Sequence, residues 1–523
     1  MLAIGLLAAS GCNVAPNRSN NGDPVDPDGA GIFTTSLPDS DVTVLESKDA
    51  GTLAIQASQA LFDRSPLVVL AGADDLPAQR EATGEAVRLG VPLLLAPAPD
   101  GDSTSTSDAT SDSSGDSDSS GDSDVTSGEA VTGTAGELAR LGTRTLLTYG
   151  AAATAWASGL DGPVDAVAAP AEPPRLPEAR QPLTSLTVLA TRAEHAFAAT
   201  TTARATGARV LVTDAADPRT DREVIAALAA DPPTHTLALG TAFGPVERLR
   251  GRLAVATTGT ELPGGGQVLF PGRRLVALYG HPGDAVLGVL GEQPRDAAIA
   301  RAQELAAAYE PLADDPVVPA LEIITTIASA SPGPRNDFSR RTPIEELRPW
   351  IDAAGEAGVY VVLDLQPGHT DFLTQAREYE DLLVEPHVGL ALDPEWRLAP
   401  GQRHMVNIGS VGAAEINQVV SWLADLTAEH RLPQKLLILH QFQLGMITGR
   451  STVDTGRDEV SVLLHVDGFG TPGQKLATYR ALLNDPPPRI WWGWKNFYDE
   501  DRPTFTPEET AQLEPSPRFI SYQ

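Results

Sequence analysis

Val388-Gly-Leu-Ala-Leu-Asp-Pro-Glu-Trp396 is a short apolar run that ends in two carboxylates, Asp393 and Glu395. Side chains alternate between the faces of a strand, so these acids share a side with Gly389 and Ala391 while Leu390 and Leu392 point the other way. Small residues followed by acids on one face, with leucines on the other, suit a parallel strand. Its leucines would meet a helix, and its C-terminal end would open into a polar site.

Seven further runs of this kind occupy the C-terminal half, giving candidate strands at 274–279, 320–328, 359–365, 388–393, 435–440, 460–466, 490–494 and 518–522. Helical patterns separate most of them, at 295–309, 343–357 (with Thr342 as N-cap and Glu345 at N3), 371–383, 413–430 and 473–484. Eight such units over residues 273–523 have the size and rhythm of a (β/α)8 TIM-like barrel. Two features favour an open doubly wound sheet instead. The link 441–459 has no clear helix, and none follows the last strand.

In a barrel, the C-terminal strand ends line one mouth, where barrel enzymes keep their sites. The residues that fall there are unusual for a barrel serving stability alone. They are His281, Asp364 and Gln366, Asp393 and Glu395, His440 and Gln441, His465 and Asp467, Trp492, Trp494, Lys495 and Asn496, and Tyr522. Taken singly, each has an ordinary explanation: an aspartate can cap a turn, a tryptophan can fill core, and a histidine can be a hydrogen-bonded wall. Their convergence carries the weight.

The histidines lack the local spacing of a zinc motif, and no GxSxG elbow is present. Carboxylate acid/base work on a glycosidic bond fits best, with no cofactor or metal required. Glu395 would be the general acid beside Asp393, with Asp467 and Asp364 as further catalytic carboxylates. Trp492, Trp494, His465, His440, Gln366, Lys495, Tyr522 and His281 would contact substrate. Two acids so close together couple, which keeps one protonated near neutral pH. The Asp393-Pro394-Glu395-Trp396 ending resembles the close of the family 18 chitinase signature. That resemblance implies a further aspartate on strand six, matched by Asp467, and a late tryptophan, matched by Trp492 or Trp494. The signature's two upstream aspartates would fall at Val388 and Ala391, and its strand-three Ser-x-Gly-Gly is absent. The expectation is therefore a glycosidase-like barrel rather than a chitinase.

Upstream of the barrel lies an interrupted repeat. Leu67-Val-Val-Leu-Ala71 matches Leu186-Thr-Val-Leu-Ala190, the run 89–96 matches 206–213, and 146–150 matches 236–240. The third match has a much shorter offset than the first two, and the Ser/Asp/Gly-rich stretch 100–127 accounts for the difference. That stretch cannot bury apolar surface and is expected to be a disordered loop. Each copy reads strand, helix, strand, helix, strand, which predicts two parallel three-layer α/β modules at 41–182 and 183–262. Neither has a GxGxxG or GxxxxGK[ST] phosphate cradle. The first copy, with Ala71-Gly-Ala-Asp-Asp-Leu-Pro-Ala78 at its turn and Gly90-Val-Pro-Leu-Leu-Leu95 after its helix, resembles the cell wall-binding repeat 2 modules of Gram-positive surface proteins. The resemblance implies a cell-wall polymer or other glycan as partner.

The single cysteine, Cys12, follows Ala9-Ser-Gly11 in a context that resembles a bacterial lipobox. By that resemblance residues 1–12 form a signal segment, Cys12 is lipidated, 13–40 is a disordered tether, and the chain sits on the extracellular face of the membrane or in the wall. Contact with the membrane would then run through that lipid only. Sixty-nine acids against 38 bases give the 523-residue chain a net charge of −31, which argues against a nucleic-acid partner and against adsorption to anionic lipid. The function expected is glycan hydrolysis or binding by a surface lipoprotein. The alternative is a non-catalytic wall- or carbohydrate-binding protein.

Overall fold

The computed structural model describes residues 33–98, 133–169 and 181–523. Cys12 with its signal segment, and the tract 100–127, lie outside the described residues. The segment read as a tether ends before Thr34, because Thr34–Thr35 pairs antiparallel with Phe62–Arg64.

The upstream strands are β1 (Val42–Leu45), β2 (Leu67–Gly72), β3 (Leu93–Ala96), β4 (Thr145–Tyr149), β5 (Asp165–Ala168), β6 (Leu186–Thr191), β7 (Arg209–Thr213) and β8 (His235–Leu239). They form two four-stranded parallel sheets in the orders β3-β2-β4-β5 and β7-β6-β8-β1. In each, the first strand of the repeat is flanked by the second and third. The outer strand differs: β5 completes the first sheet, whereas β1, which precedes the first copy, pairs Thr236 with Val42 and completes the second. Helix Ala50–Leu61, capped by the Asp49 carboxylate on Thr52 N–H, buries Leu53, Ala54, Ala57 and Leu61 between the two copies. Across the same junction Thr202 Oγ1 accepts from Leu93 N–H at 3.1 Å. One apolar cluster runs through both sheets.

The C-terminal half is a closed barrel of β9 (Arg274–Gly280), β10 (Val317–Ala328), β11 (Tyr360–Leu365), β12 (Val388–Leu392), β13 (Lys435–Gln441), β14 (Val460–Val466), β15 (Trp491–Asn496) and β16 (Phe519–Tyr522). Every neighbouring pair is parallel and consecutive, and β9 closes the ring by pairing with both β10 and β16. Closure excludes the open sheet. The link after β13 is built from 3-10 turns and the two-residue strand Ile447–Thr448, which pairs with Val411–Gly412, so no helix is needed there.

Strand parity then sorts the side chains. Leu390 and Leu392 pack outward in the cluster beneath the helices, and Ala391 packs inward with Leu275, Ala277, Tyr360, Val362, Leu436, Ile438, Leu463 and Phe519. Gly389 faces inward too, where a β-carbon would sit 2.8 Å from Leu436 O and 2.9 Å from Tyr360 Oη. Leu262, Leu269 and Phe270, from the segment joining module to barrel, complete this inner cluster. The Arg273 guanidinium, accepted by the carbonyls of Pro263, Gly265, Val268 and Leu269, holds that segment in place. The lumen at the N-terminal end of the barrel is thus filled by apolar side chains. Asp458, at that filled end, is clamped by Arg219 at 2.7 Å and bidentately by Arg252 of the second module.

Candidate functional site

One layer above the apolar fill, the inward positions become polar all round the barrel: Tyr279, Glu322, Asp364, His440, His465, Lys495 and Ser521 on seven strands, and Asp393 just past the eighth, β12. All are at least nine-tenths buried. His440 is the centre. Its Nε2 meets Glu322 Oε1 at 2.8 Å, its Nδ1 meets Asp467 Oδ2 at 3.0 Å, and Asp364 Oδ1 lies 3.9 Å from Nε2. With a carboxylate oxygen at each nitrogen, both nitrogens act as donors only if the ring is an imidazolium. Burial opposes that charge, but Glu322, Asp467 and Asp364 overcome it and hold the His440 pKa well above the usual imidazole range.

His465 is its counterpart on the next strand, paired in register with His440, the rings edge to face at 5.0 Å. Burial, and then the neighbouring His440 cation, push its pKa well below the usual range, so it is neutral. Its Nε2 meets Ser521 Oγ at 2.7 Å. Gly493 makes room for it, since a β-carbon there would lie 2.5 Å from His465 Nδ1. The two histidines therefore sit side by side, one an imidazolium and the other neutral.

Around them, Tyr279 Oη donates to Asp364 Oδ2 at 3.0 Å, and Gln366, anchored through its Oε1 to Ala328 N–H, reaches Tyr279 Oη at 3.4 Å. Lys495 Nζ lies 3.4 Å from the centroid of the Tyr279 ring, a cation–π contact. Its strand end is held by Lys475, whose buried ammonium bonds Lys495 O at 2.7 Å and Asp501 at 2.6 Å.

Asp393 caps the 3-10 turn Pro394–Trp396 by accepting from Glu395 N–H at 3.1 Å, which lifts Glu395 and Trp396 to the rim of the mouth. Burial pushes the Asp364 carboxyl up to about 6, and His440 and Lys495 hold it from rising further. Burial also raises Asp393 well above its ordinary range. Glu395, only partly buried, is pushed up to about 7 by burial and then by the charge of Asp467. Glu322 Oε2, Asp364 Oδ1, Asp467 Oδ1 and His465 Nδ1 are buried with no hydrogen-bond partner among the described residues, so the site holds unused acceptor capacity.

Asp364, Asp393, Glu395, Asp467, His440, His465, Gln366 and Lys495 are thus brought together. Others are not. Trp492 and Trp494 point outward, where both rings pack on Tyr479 and Trp494 Nε1 bonds Asn496 Oδ1 at 2.8 Å; this corrects the reading of them as substrate platforms. Tyr522 also points outward, its hydroxyl 2.6 Å from that of Tyr309. Gln441 is tied to Arg450 on the outer side. His281 stands at the rim with Nε2 on Thr342 Oγ1 at 3.1 Å, apart from the acids, its pKa lowered by burial and by Arg340. The physical reason is strand parity: even positions of β15 and β16 face the helices, and odd ones face the barrel.

Glu322, Tyr279 and Ser521 belong to the site although the sequence reading did not single them out. Glu322 was within reach, because Val318, Ala320 and Glu322 repeat the small-then-acid pattern of Gly389, Ala391 and Asp393. Aromatic surface at the mouth comes from loops: Trp396, with its ring against His404, and Phe469, 65 % exposed and edge-on to Phe497.

No family model matches the chain, and comparison with curated proteins finds no match. Among solved structures, similarity is found to the dihydropteroate synthase of Burkholderia cenocepacia complexed with 7,8-dihydropteroate. The identity is 14 % and the TM-score 0.22, over 48 % of this chain and 86 % of that one. So slight a likeness carries no argument about the site. The eight-stranded barrel rests on the strand pairing itself.

Proposed function

We propose that the barrel mouth performs carboxylate acid/base chemistry on a glycan, with Glu395 donating a proton to the leaving glycosidic oxygen. The observation that carries this reading is Glu395 itself: a carboxyl at the rim, pushed up to about 7, beside an Asp467 that is bound to the His440 cation. Two acids in contrasting surroundings are the arrangement that separates a proton donor from a charged partner. Asp467 is the carboxylate available to draw a proton from attacking water, and Trp396, next in sequence to the donor, is the ring available to a pyranose. The upstream modules, by their resemblance to wall-binding repeats, would hold the chain against wall polymer, and Cys12 would anchor it at the extracellular face.

The test is hydrolysis of a panel of envelope and environmental glycans. The wild-type chain is expected to release reducing ends, and Glu395→Gln to lose at least about 100-fold in rate. Undiminished hydrolysis by Glu395→Gln overturns the assignment. A second reading, glycan binding without turnover, is favoured by Lys495, which stands at the end of strand seven where retaining barrel glycosidases carry a carboxylate. It expects saturable binding and no reducing ends.

A further inference from the structure

Eight large hydrophobic side chains stand exposed among the described residues, and all but Val87 lie on loops leaving the C-terminal ends of barrel strands. Val286 follows β9, Met405 and Val406 follow β12, Leu444 follows β13, and Phe469 follows β14. Because every barrel strand is parallel, these loops all emerge at one end, around the acid site. The opposite end carries none.

The loop after β12 shows that this exposure is built. Met405, 90 % exposed, sits at φ 62°, in the left-handed region that a side chain with a β-carbon adopts at a cost. The turn is held by Val406 and Asn407 N–H on Arg403 O, and by Arg403 N–H on Asn407 Oδ1 at 3.1 Å. Beneath it, buried His404 bonds Phe338 O at 2.9 Å and packs on Trp396. Strain is thus spent on aiming Met405 and Val406 into solvent, where they return no packing. Arg403, on the same loop, and Arg340, after β10, are exposed and make no ion pair among the described residues.

We propose that this rim docks the barrel mouth on a lipid surface, inserting Met405, Val406, Leu444 and Phe469 among the acyl chains while Arg403 and Arg340 meet headgroup phosphates. Apolar tips carried on separate loops suit a fluid acyl layer, whereas a protein partner would be met by one contiguous, closely packed face. The overall charge of −31 disfavours anionic lipid, so the surface that fits is a neutral, zwitterionic one. The inference rests on the rim alone. It places the mouth at headgroup depth whether or not the acids turn over a substrate.

The test is cosedimentation of the full chain, carrying Cys12→Ser to exclude acylation, with phosphatidylcholine vesicles and with vesicles that also contain phosphatidylglycerol. Binding to neutral vesicles is expected, and Met405→Ser/Val406→Ser/Phe469→Ser should bind at least about tenfold more weakly with an unchanged unfolding temperature. Glu395→Gln should bind vesicles as the parent does, which separates this inference from the acid/base reading. A parent that remains in the supernatant, or a triple variant that binds equally well, overturns it. Self-association of the parent without vesicle binding overturns it in favour of a protein partner.

Discussion

His440 and Glu322 are 118 positions apart in the chain, and inside the barrel their side chains meet at 2.8 Å with no solvent access to either. The pair exists only because closure brings β10 and β13 to face each other across the lumen. Removing one member strands the other charge. Glu322→Ala is expected to destabilise the barrel by roughly 3–5 kcal/mol, and Glu322→Gln, which keeps an acceptor for Nε2, by clearly less. Urea unfolding followed by barrel tryptophan fluorescence separates the two.

Turnover, if Glu395 donates the proton, should fall as pH rises through about 7, because the donor is then deprotonated. A rate profile on any hydrolysed glycan checks this. A limb that persists unchanged in Glu395→Gln would assign it elsewhere.

Stability should run the same way for a different reason. Glu395 and Asp364 titrate near 7 and 6 in the fold against ordinary values of 4.5 and 3.8, so the folded state holds protons that the unfolded chain has released. Their contribution is full below the ordinary values and is lost as pH rises through the folded ones. These two carboxyls therefore favour pH 5 over pH 8, while His465, kept neutral by burial, works the other way, so the comparison that isolates them is the unfolding temperature of parent against variant. Asp364→Asn should flatten that dependence, gaining on the order of 1–3 kcal/mol at pH 8.

The aromatic assignments divide by readout. Trp494→Phe should lower stability by about 1–3 kcal/mol and leave ligand affinity unchanged, since the ring belongs to the helix layer. Trp396→Ala should weaken glycan binding and cost little stability. Titration calorimetry beside thermal unfolding distinguishes them.

The Asp458 clamp joins the second module to the closed end of the barrel. Asp458→Ala removes the acid that reaches Arg219 and Arg252 from the barrel and leaves both arginines to Asp217 of their own module, at 2.8 and 3.3 Å. The expected result is faster proteolysis in the segment 257–273, with the barrel's own unfolding unchanged.

What was legible in the sequence was whatever a single strand or a local pattern carries. The alternation in β12 placed Leu390 and Leu392 outward and Asp393 inward without reference to any other element. Count and spacing pointed to the barrel, although only the pairing of β9 with β16 closes it. The tryptophans misled because β15 carries them on both faces, Trp491 against the inner cluster and Trp492 and Trp494 in the outer one, so the bulkiest residues say nothing about direction. Gly493 and Lys495 were the better guide, since a glycine facing a histidine and a lysine facing acids mark the inner side. His440 could be listed but not interpreted: its charge comes from Glu322 and Asp364 on other strands, and no local spacing encodes that. The exchange of β1 into the second sheet was equally hidden, because the repeat pattern shows which segments correspond and not which of them pair.

That exchange has a consequence for synthesis. Val42 is among the first described residues to be made, but its partner Thr236 follows only after the first module and most of the second have been translated, a delay of roughly 10–40 s at ordinary elongation rates. Until then β1 is an unpaired apolar strand beside a first sheet that is already complete. The nascent chain must carry it unmatched, which makes the interval before β8 appears the point at which this protein is most open to a chaperone or to a wrong neighbour.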